Sequence, residues 1–170
     1  MTIMPRDLPA VDDIQFRTAM RQLAAGVSVV TTVHEGKRYG ITVTSAASVS
    51  EDPPLISIGV NKQSWICESL MQSSIFCVSV LGVPQLDVAT SFSTAPRDRR
   101  FDTGEWTTMT TGAPVLVGAP AVFDCDIYMT IEVKTHFLVI GRILATGSID
   151  SQPLIYRDRK YLTVGDVQER

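Results

Sequence analysis

The sequence predicts a mainly β protein with a few helices, folded as an antiparallel barrel. Many β-branched runs are separated by turn residues. Two or three helical patterns lie between them without the regular strand and helix alternation of a Rossmann sheet. The 170 residues, 45% of them hydrophobic, show no break in composition. One domain covering 1–170 is therefore expected.

The first element is a helix. Asp12 or Asp13 can cap it, and Gly26 is its expected stop. Its apolar residues recur at helical spacing and are Phe16, Ala19, Met20 and Leu23.

A β-hairpin follows, because the β-branched runs 27–33 and 39–44 flank the turn sequence His34-Glu-Gly-Lys37. A third strand, 55–60, comes after the turn Asp52-Pro-Pro54. Periodicity and proline then predict a helix over 65–72, a strand over 75–81, a helix over 84–92, a loop-rich segment over 93–118, long strands over 122–133 and 137–145, and a last strand over 161–164.

Composition restricts the partners and the location. The chain carries 15 basic and 18 acidic residues, a net charge of −3, so nucleic acid is not an expected partner. The N-terminus M-T-I-M-P-R-D has no signal-peptide pattern, and no apolar run approaches the roughly 20 residues that span a bilayer. A cytoplasmic protein without membrane attachment is expected.

Cys67, Cys77 and Cys125 are odd in number and lack CxxC spacing, which predicts reduced thiols and no metal site.

The most informative stretch runs from Gly40 to Trp65. Small hydroxyl residues stand where a buried strand would carry bulk, so a ligand can approach the backbone. Asn61-Lys62-Gln63-Ser64 adds a polar cluster with one positive charge that suits a phosphate. The alternative is that these strands are simply half-exposed sheet and that Lys62 is a solvated charge.

Several enzyme classes lose their usual sequence support. The chain contains no G-x-G-x-x-G, G-x-x-x-x-G-K-[ST], H-E-x-x-H or G-x-S-x-G. Dinucleotide-fold dehydrogenases, P-loop enzymes, zincins and α/β-hydrolases are therefore disfavoured.

The motif series resembles the short-chain flavin reductases of two-component monooxygenases. Its first parts are F-R-T-A-M-R-Q-L-A-A-G-V-S-V-V-T over 16–31 and G-I-T-V-T-S-A-A-S-V-S-E-D-P-P-L over 40–55. The later parts are Asp98-Arg-Arg-Phe101, Trp106, Gly112-x-Pro114-x-Leu116, Ala119 to Cys125, His136 and Pro153-Leu-Ile-Tyr156.

This resemblance implies a homodimeric FMN-binding split β-barrel. It also implies an NAD(P)H:flavin oxidoreductase that transfers hydride from NADH, with NADPH as the alternative, to FAD (favoured) or FMN. Free reduced flavin would pass to an oxygenase in aromatic compound degradation, for example a phenol or chlorophenol hydroxylase. Two alternatives stay open: a non-catalytic flavin or haem carrier, and a pyridoxamine-phosphate-oxidase-like FMN oxidase.

The resemblance also implies the site residues. The isoalloxazine would lie against Thr42, Val43, Thr44, Ser45 and Ser48. The ribityl and phosphate end would be held by Asn61, Lys62, Gln63, Ser64 and Trp65. The phosphates or adenylate would be closed over by Ser93 and Thr94 with Arg99 or Arg100. The nicotinamide nucleotide would be covered by Tyr156, Arg157, Asp158 and Arg159.

His136 is the implied catalytic residue, placed beside the flavin to receive the nicotinamide. It follows Lys134-Thr135, whereas family members commonly carry Gly-Asp before this histidine. The alternatives are a structural histidine between strands, a solvated charge cluster for Arg99 and Arg100, and a polar turn for the segment after Tyr156.

Overall fold

The computed structural model describes residues 8–165. Its helices are α1 (Asp13–Met20), α2 (Cys67–Ser73) and α3 (Leu86–Thr94), with 3₁₀ turns at Val83–Gln85 and Arg100–Asp102. Its strands are β1 (Ala25–Gly26), β2 (Ser28–His34), β3 (Lys37–Val43), β4 (Ala47–Glu51), β5 (Pro54–Asn61), β6 (Ile75–Val80), β7 (Trp106–Thr108), β8 (Pro114–Leu116), β9 (Ala121–Val133), β10 (His136–Ser148), β11 (Ile155–Arg157) and β12 (Lys160–Leu162).

The main sheet confirms the predicted antiparallel architecture. Seven strands pair in the order β3-β2-β6-β9-β10-β5-β4, so β3 and β4 are its two edges. The short connection 44–46 joins these edges, and within it the Ser45 hydroxyl accepts a hydrogen bond from the Gly59 amide of β5 at 3.0 Å. The sheet therefore curls until its edges approach without closing, as in a split barrel. Smaller sheets, β1-β11-β12 and β7-β8, flank it.

The N-terminal helix is capped as predicted but ends early. Asp12 accepts a hydrogen bond from the Gln15 amide at 2.7 Å, and α1 stops at Met20, before the expected Gly26. The reason is tertiary: Ala25 and Gly26 pair with β11, so the chain is already extended there. All eight residues of α1 are exposed.

The β2–β3 hairpin is confirmed. Its turn residues Glu35 and Gly36 have φ values of 50° and 74°, as a two-residue type I′ turn requires. Four parts of the sheet system were not predicted: β1, β4, the β7–β8 pair within the segment expected to be loop-rich, and β11. Strand β4 is an exposed edge strand rich in serine, and the others are two or three residues long, too short for a periodic pattern.

Buried side chains form two clusters on either side of the sheet. One packs Phe92 of α3 against Phe101 and Trp106, with ring centroids 5.1 and 5.4 Å from that of Phe92. The other packs α2 on Ile58 and Phe76. The first cluster carries the segment after α3, which contributes to the site described below.

A buried carboxylate fixes the loop 109–113 between β7 and β8. Asp124 of β9 is fully buried and accepts a hydrogen bond from the Thr111 amide at 2.8 Å. The Thr111 hydroxyl also donates to it, so the charge is well compensated. The β7–β8 hairpin, which carries Trp106, is thereby tied to the barrel wall.

All three cysteines are free and buried, as expected for reduced thiols. Burial raises the pKa of Cys77 from 9.0 to about 12, and it also raises the pKa values of Cys67 and Cys125. Over residues 8–165, no group of three or more His, Cys, Asp or Glu side chains is arranged to hold a metal ion. None of the helices in this range has the length and apolar character needed to cross a membrane. The N-terminal heptapeptide behind the localisation prediction lies outside the described residues.

Candidate functional site

A groove of about 320 Å³ lies where β3 meets α3 and the last hairpin, which is formed by β11 and β12. We call it the β3 groove. It brings together three segments that the sequence analysis selected separately. Its walls are formed by Val27, Thr42, Val43, Thr44, Ser93, Tyr156, Arg159 and Tyr161. The lining therefore combines hydroxyls, exposed backbone, two tyrosine rings and one cation.

Hydrogen bonds fix the hydroxyls of this groove. The Ser93 hydroxyl donates to the Ala89 carbonyl at 2.7 Å and lies 3.5 Å from the Thr42 hydroxyl. Thr42 itself lies 3.4 Å from the same carbonyl. The Ala89 carbonyl of α3 thus brings the hydroxyls of Ser93 and Thr42 together at this groove. Thr94, also predicted for the site, instead bonds its own helix at the Thr90 carbonyl.

A second groove, of about 390 Å³, continues past Thr44 and Tyr156 to the exposed face of α1. Phe16, Met20 and Leu23 form its apolar wall. Sequence reasoning assigned α1 no role in the site, although its apolar stripe was visible, because nothing in the sequence indicated that the stripe would remain uncovered.

The last hairpin, β11–β12, is held by polar contacts against the two residues that follow α1. The Arg157 guanidinium donates to the Gln22 side-chain oxygen at 2.7 Å, and the Asp158 amide donates to the Arg21 carbonyl at 3.1 Å. Asp158 and Arg159 form its turn with φ values of 46° and 63°. Such positive φ values are unfavourable for residues other than glycine and place Arg159 at the rim of both grooves.

The remaining isoalloxazine candidates lie elsewhere. Ser45 is bound to both the amide and the carbonyl of Gly59. Ser48 lines a separate opening of about 280 Å³ with Ala46 and Ala47. The predicted flavin segment is therefore divided between two openings that flank the β3–β4 connection.

Some polar groups of the turn 61–65 are paired with other groups of the protein, and two are not paired within residues 8–165. Lys62 forms an ion pair with Glu132 and lies 5.2 Å from the Phe137 ring centroid. Asn61 accepts a hydrogen bond from the Gln63 amide at 2.9 Å. By contrast, the Ser64 hydroxyl and the Trp65 indole nitrogen are buried and have no hydrogen-bond partner among residues 8–165. Buried polar atoms without a partner are uncommon, so these two groups fit a polar ligand.

The Trp65 ring joins this turn to the segment after α3. The Arg97 and Arg100 guanidinium carbons lie 5.8 and 5.6 Å from its centroid, and Tyr39 packs against it at 4.9 Å. Arg100 also donates to the Gly40 carbonyl on the free edge of β3 at 3.1 Å. We call Trp65, Arg97 and Arg100 the arginine–tryptophan cluster.

The structure distinguishes the two adjacent arginines that the sequence left ambiguous. Arg99 is exposed and pairs with Asp102 at 3.2 Å, whereas Arg100 is half-buried and faces Trp65. Of the two, only Arg100 contacts the turn 61–65 and the edge of β3. Arg97 was not a candidate, because only the fold brings it beside Trp65.

His136 stands apart from the β3 groove. It is exposed, begins β10, pairs with Asn61 of β5, and its Nδ1 lies 2.8 Å from the Thr135 hydroxyl. The Thr135 carbonyl accepts a hydrogen bond from the Lys62 amide at 3.0 Å, so His136 is beside the turn 61–65. His136 lines neither the β3 groove nor the two openings beside it.

Comparisons with known proteins agree on one family. The family model for the flavin reductase like domain matches residues 20–165. The FMN reductase (NADH) RutF of Ancylobacter novellus is 37% identical over 164 residues, which cover 95% of this chain and 90% of that protein.

Solved structures show the same fold. The NADH:FAD oxidoreductase SgcE6 of Streptomyces globisporus C-1027 superposes with a TM-score of 0.86 at 27% identity, covering 98% of this chain and 97% of its own. BorF, the flavin reductase component of a bacterial two-component tryptophan halogenase, superposes with a TM-score of 0.83 at 32% identity, covering 92% of this chain and all of its own.

Proposed function

Because this chain belongs to the flavin reductase like domain family, we propose that it reduces a flavin with NADH and releases the reduced flavin to an oxygenase. Its activity as a nicotinamide-dependent flavin reductase follows from the family match and from the 37% identity to an FMN reductase (NADH). The partner oxygenase is supported by BorF, which is a component of a two-component halogenase. A substrate of that oxygenase would be an aromatic compound, as in the tryptophan halogenase.

The observation that carries this proposal is the composition of the β3 groove. Its hydroxyls and strand backbone offer hydrogen-bond donors and acceptors to the polar edge of a flat ring, and Tyr156 and Tyr161 offer apolar faces. A bound flavin supplies the redox chemistry by accepting a hydride. The protein contributes binding and orientation, since hydride transfer requires the reacting rings at about 3–3.5 Å.

Individual residues take distinct parts in this proposal. Thr42, Val43 and Thr44 bind the ring edge through hydroxyls and backbone, and Ser93 fixes Thr42. Ser64, Trp65 and Arg100 hold the phosphate end, because they offer unpartnered donors and a half-buried cation. Asn61, Lys62 and Gln63 form the turn that presents them.

The nicotinamide nucleotide is proposed to enter past the β11–β12 hairpin. Tyr156 and the turn Arg157–Arg159 cover it at that end of β3, where its ring stacks on a flavin in the β3 groove, and His136 contacts the nucleotide from beside the turn 61–65. Ser45 and Ser48 shape the connection between the sheet edges, where small neighbours Ala46 and Ala47 leave room for the flavin to leave.

A second copy of the chain is proposed to cover the distal ends of β9 and β10. Large apolar side chains are exposed there in regular strand, with exposed fractions of 53% for Tyr128, 47% for Met129 and 52% for Val133. Contiguous exposed apolar residues of this kind mark an interface. Sedimentation equilibrium should give a homodimer, and Tyr128→Lys should shift it toward the monomer.

Release of the reduced flavin distinguishes a reductase of this kind from a protein that retains its flavin. Catalytic amounts of protein are mixed anaerobically with excess FMN or FAD and with NADH, and the oxidised flavin absorbance is followed to completion. Reduction of many flavin equivalents per chain is expected. Reduction that stops at one equivalent would mean that the flavin is not released.

A further inference from the structure

The start of β10 is tied to the turn 61–65 by main-chain contacts. His136, the first residue of β10, pairs with Asn61 of β5. The carbonyl oxygen of the preceding residue, Thr135, accepts a hydrogen bond from the Lys62 amide at 3.0 Å. The backbone that carries His136 is therefore fixed relative to a turn that the proposed function assigns to the flavin.

The connection between β9 and β10 is a tight hairpin turn. Val133 pairs with His136, so only Lys134 and Thr135 lie between the strands. Lys134 has a φ of 48°, which residues other than glycine adopt uncommonly. Two-residue hairpin turns allow a narrow set of backbone conformations. The Thr135 side chain therefore starts from a defined position beside the imidazole of His136.

The Thr135 hydroxyl orients this imidazole. Its oxygen lies 2.8 Å from Nδ1 of His136, a normal length for a hydrogen bond. Within residues 8–165 no other side chain bonds the ring, and none of the ion pairs there includes it. Because a hydroxyl can either donate or accept, Thr135 can pair with Nδ1 in both neutral tautomers.

This pairing has a consequence for the other ring nitrogen. With Nδ1 occupied, Nε2 is the atom of His136 that can donate to or accept from a ligand. An exposed side chain without a partner moves among several rotamers, and ordering it on binding costs affinity or rate. A hydrogen bond to a residue fixed in a tight turn restricts the ring before the nucleotide arrives.

We propose that Thr135 is a positioning residue for hydride transfer. Its carbonyl oxygen ties the start of β10 to the flavin-binding turn, and its hydroxyl holds the His136 ring with Nε2 free for the nicotinamide nucleotide. This inference rests on the proposed role of His136 in the reductase reaction. Because Thr135 acts through His136, its hydroxyl should matter only while the imidazole is present.

A double-mutant cycle of Thr135→Val and His136→Ala tests this dependence. Single-turnover reduction of bound flavin by NADH should slow about 3- to 10-fold in Thr135→Val, as for loss of one hydrogen bond, with the flavin dissociation constant and thermal midpoint unchanged. Thr135→Ser is the matched control, because it keeps the hydroxyl, and its rate should stay within about twofold of the wild-type rate. In the His136→Ala background, Thr135→Val should cause no further loss.

Imidazole resonances give a second readout that needs no turnover. The chain has two histidines, His34 and His136, so a long-range ¹H–¹⁵N spectrum contains two imidazoles, and His136→Ala assigns them. Thr135→Val should shift the Nδ1 resonance of His136 and leave the resonances of His34 unchanged.

Two results would overturn the inference. One is a Nδ1 resonance of His136 that does not move in Thr135→Val, and the other is a slowing by Thr135→Val that persists in the His136→Ala background. A wild-type protein that binds flavin but does not reduce it with NADH would instead contradict the proposed function. The resonance shift still tests the hydrogen bond in that case.

Discussion

The guanidinium of Arg100 lies over the indole ring of Trp65, 5.6 Å from its centroid, and hydrogen-bonds the Gly40 carbonyl at 3.1 Å. This contact joins the turn after β5 to the segment after α3 across the free edge of β3. Two polar clusters that are distant in sequence therefore become one wall of the site. Phe101, the residue after Arg100, packs against Phe92 and so holds this wall in place.

The ion pair between Lys62 and Glu132 offers two substitutions that test whether Lys62 binds the flavin phosphate. Lys62→Ala should weaken FMN binding about 10-fold, as loss of one charge-assisted hydrogen bond implies, and should affect riboflavin much less because it has no phosphate. Glu132→Gln should strengthen FMN binding, because it releases the Lys62 ammonium group from its ion pair. Isothermal titration of both variants with FMN and riboflavin measures this. Equal changes for the two flavins would remove Lys62 from the phosphate site.

His136→Ala should separate binding from chemistry. The side chain is exposed, so its loss should leave the thermal midpoint and the flavin dissociation constant nearly unchanged. If His136 positions the nicotinamide, single-turnover flavin reduction should slow by about 10²-fold, because a displacement of about 1 Å can cost that much in rate. A variant that melts normally and reduces flavin at the wild-type rate over all NADH concentrations would contradict this role.

Alkaline pH should destabilise the fold through Cys77. Its pKa rises on folding from 9.0 to about 12, so the unfolded chain loses this proton first, and stability that is present below pH 9.0 is lost as pH rises toward about 12. The slope is about 1.4 kcal/mol per pH unit for one thiol. Urea unfolding between these limits should show a shallower decline for Cys77→Ala. An unchanged slope would contradict the burial of an un-ionised thiol.

The packing of β10 on Phe76 can be tested at two glycines. A Cβ at Gly141 would lie 2.7 Å from Phe76 Cε1 and 2.9 Å from Cys125 Cβ, so Gly141→Ala should destabilise the protein by about 1–3 kcal/mol. Gly147 is the matched control on the same strand, because its Cβ would meet Val122 at an ordinary 3.5 Å. Denaturant unfolding compares the variants. Equal stabilities would contradict the described packing.

Sequence patterns predicted most of the sheet but fewer of the site contacts. The Glu35-Gly36 turn and the long strands β9 and β10 were predictable, because turn chemistry and apolar runs are local signals. Strand β4 is an exposed edge strand rich in serine, so its sequence lacks the apolar alternation that predicts a strand. The early end of α1 depends on the pairing of Ala25 and Gly26 with the distant strand β11, which local patterns do not encode. Thr42, Ser93 and Tyr156 were predicted for the site and meet in one groove. The place of Arg97 beside Trp65 and the pairing of Lys62 with Glu132 follow only from the fold.

Anaerobic stopped-flow mixing of the flavin-loaded protein with NADH tests the central claim most directly. The absorbance of oxidised flavin should disappear in a single turnover, at a rate on the order of 1–10³ s⁻¹ that saturates with NADH. Free flavin mixed with NADH in the same buffer is the control and should react far more slowly. Flavin that binds to the protein but stays oxidised with excess NADH and with excess NADPH would contradict the reductase assignment and favour a flavin carrier.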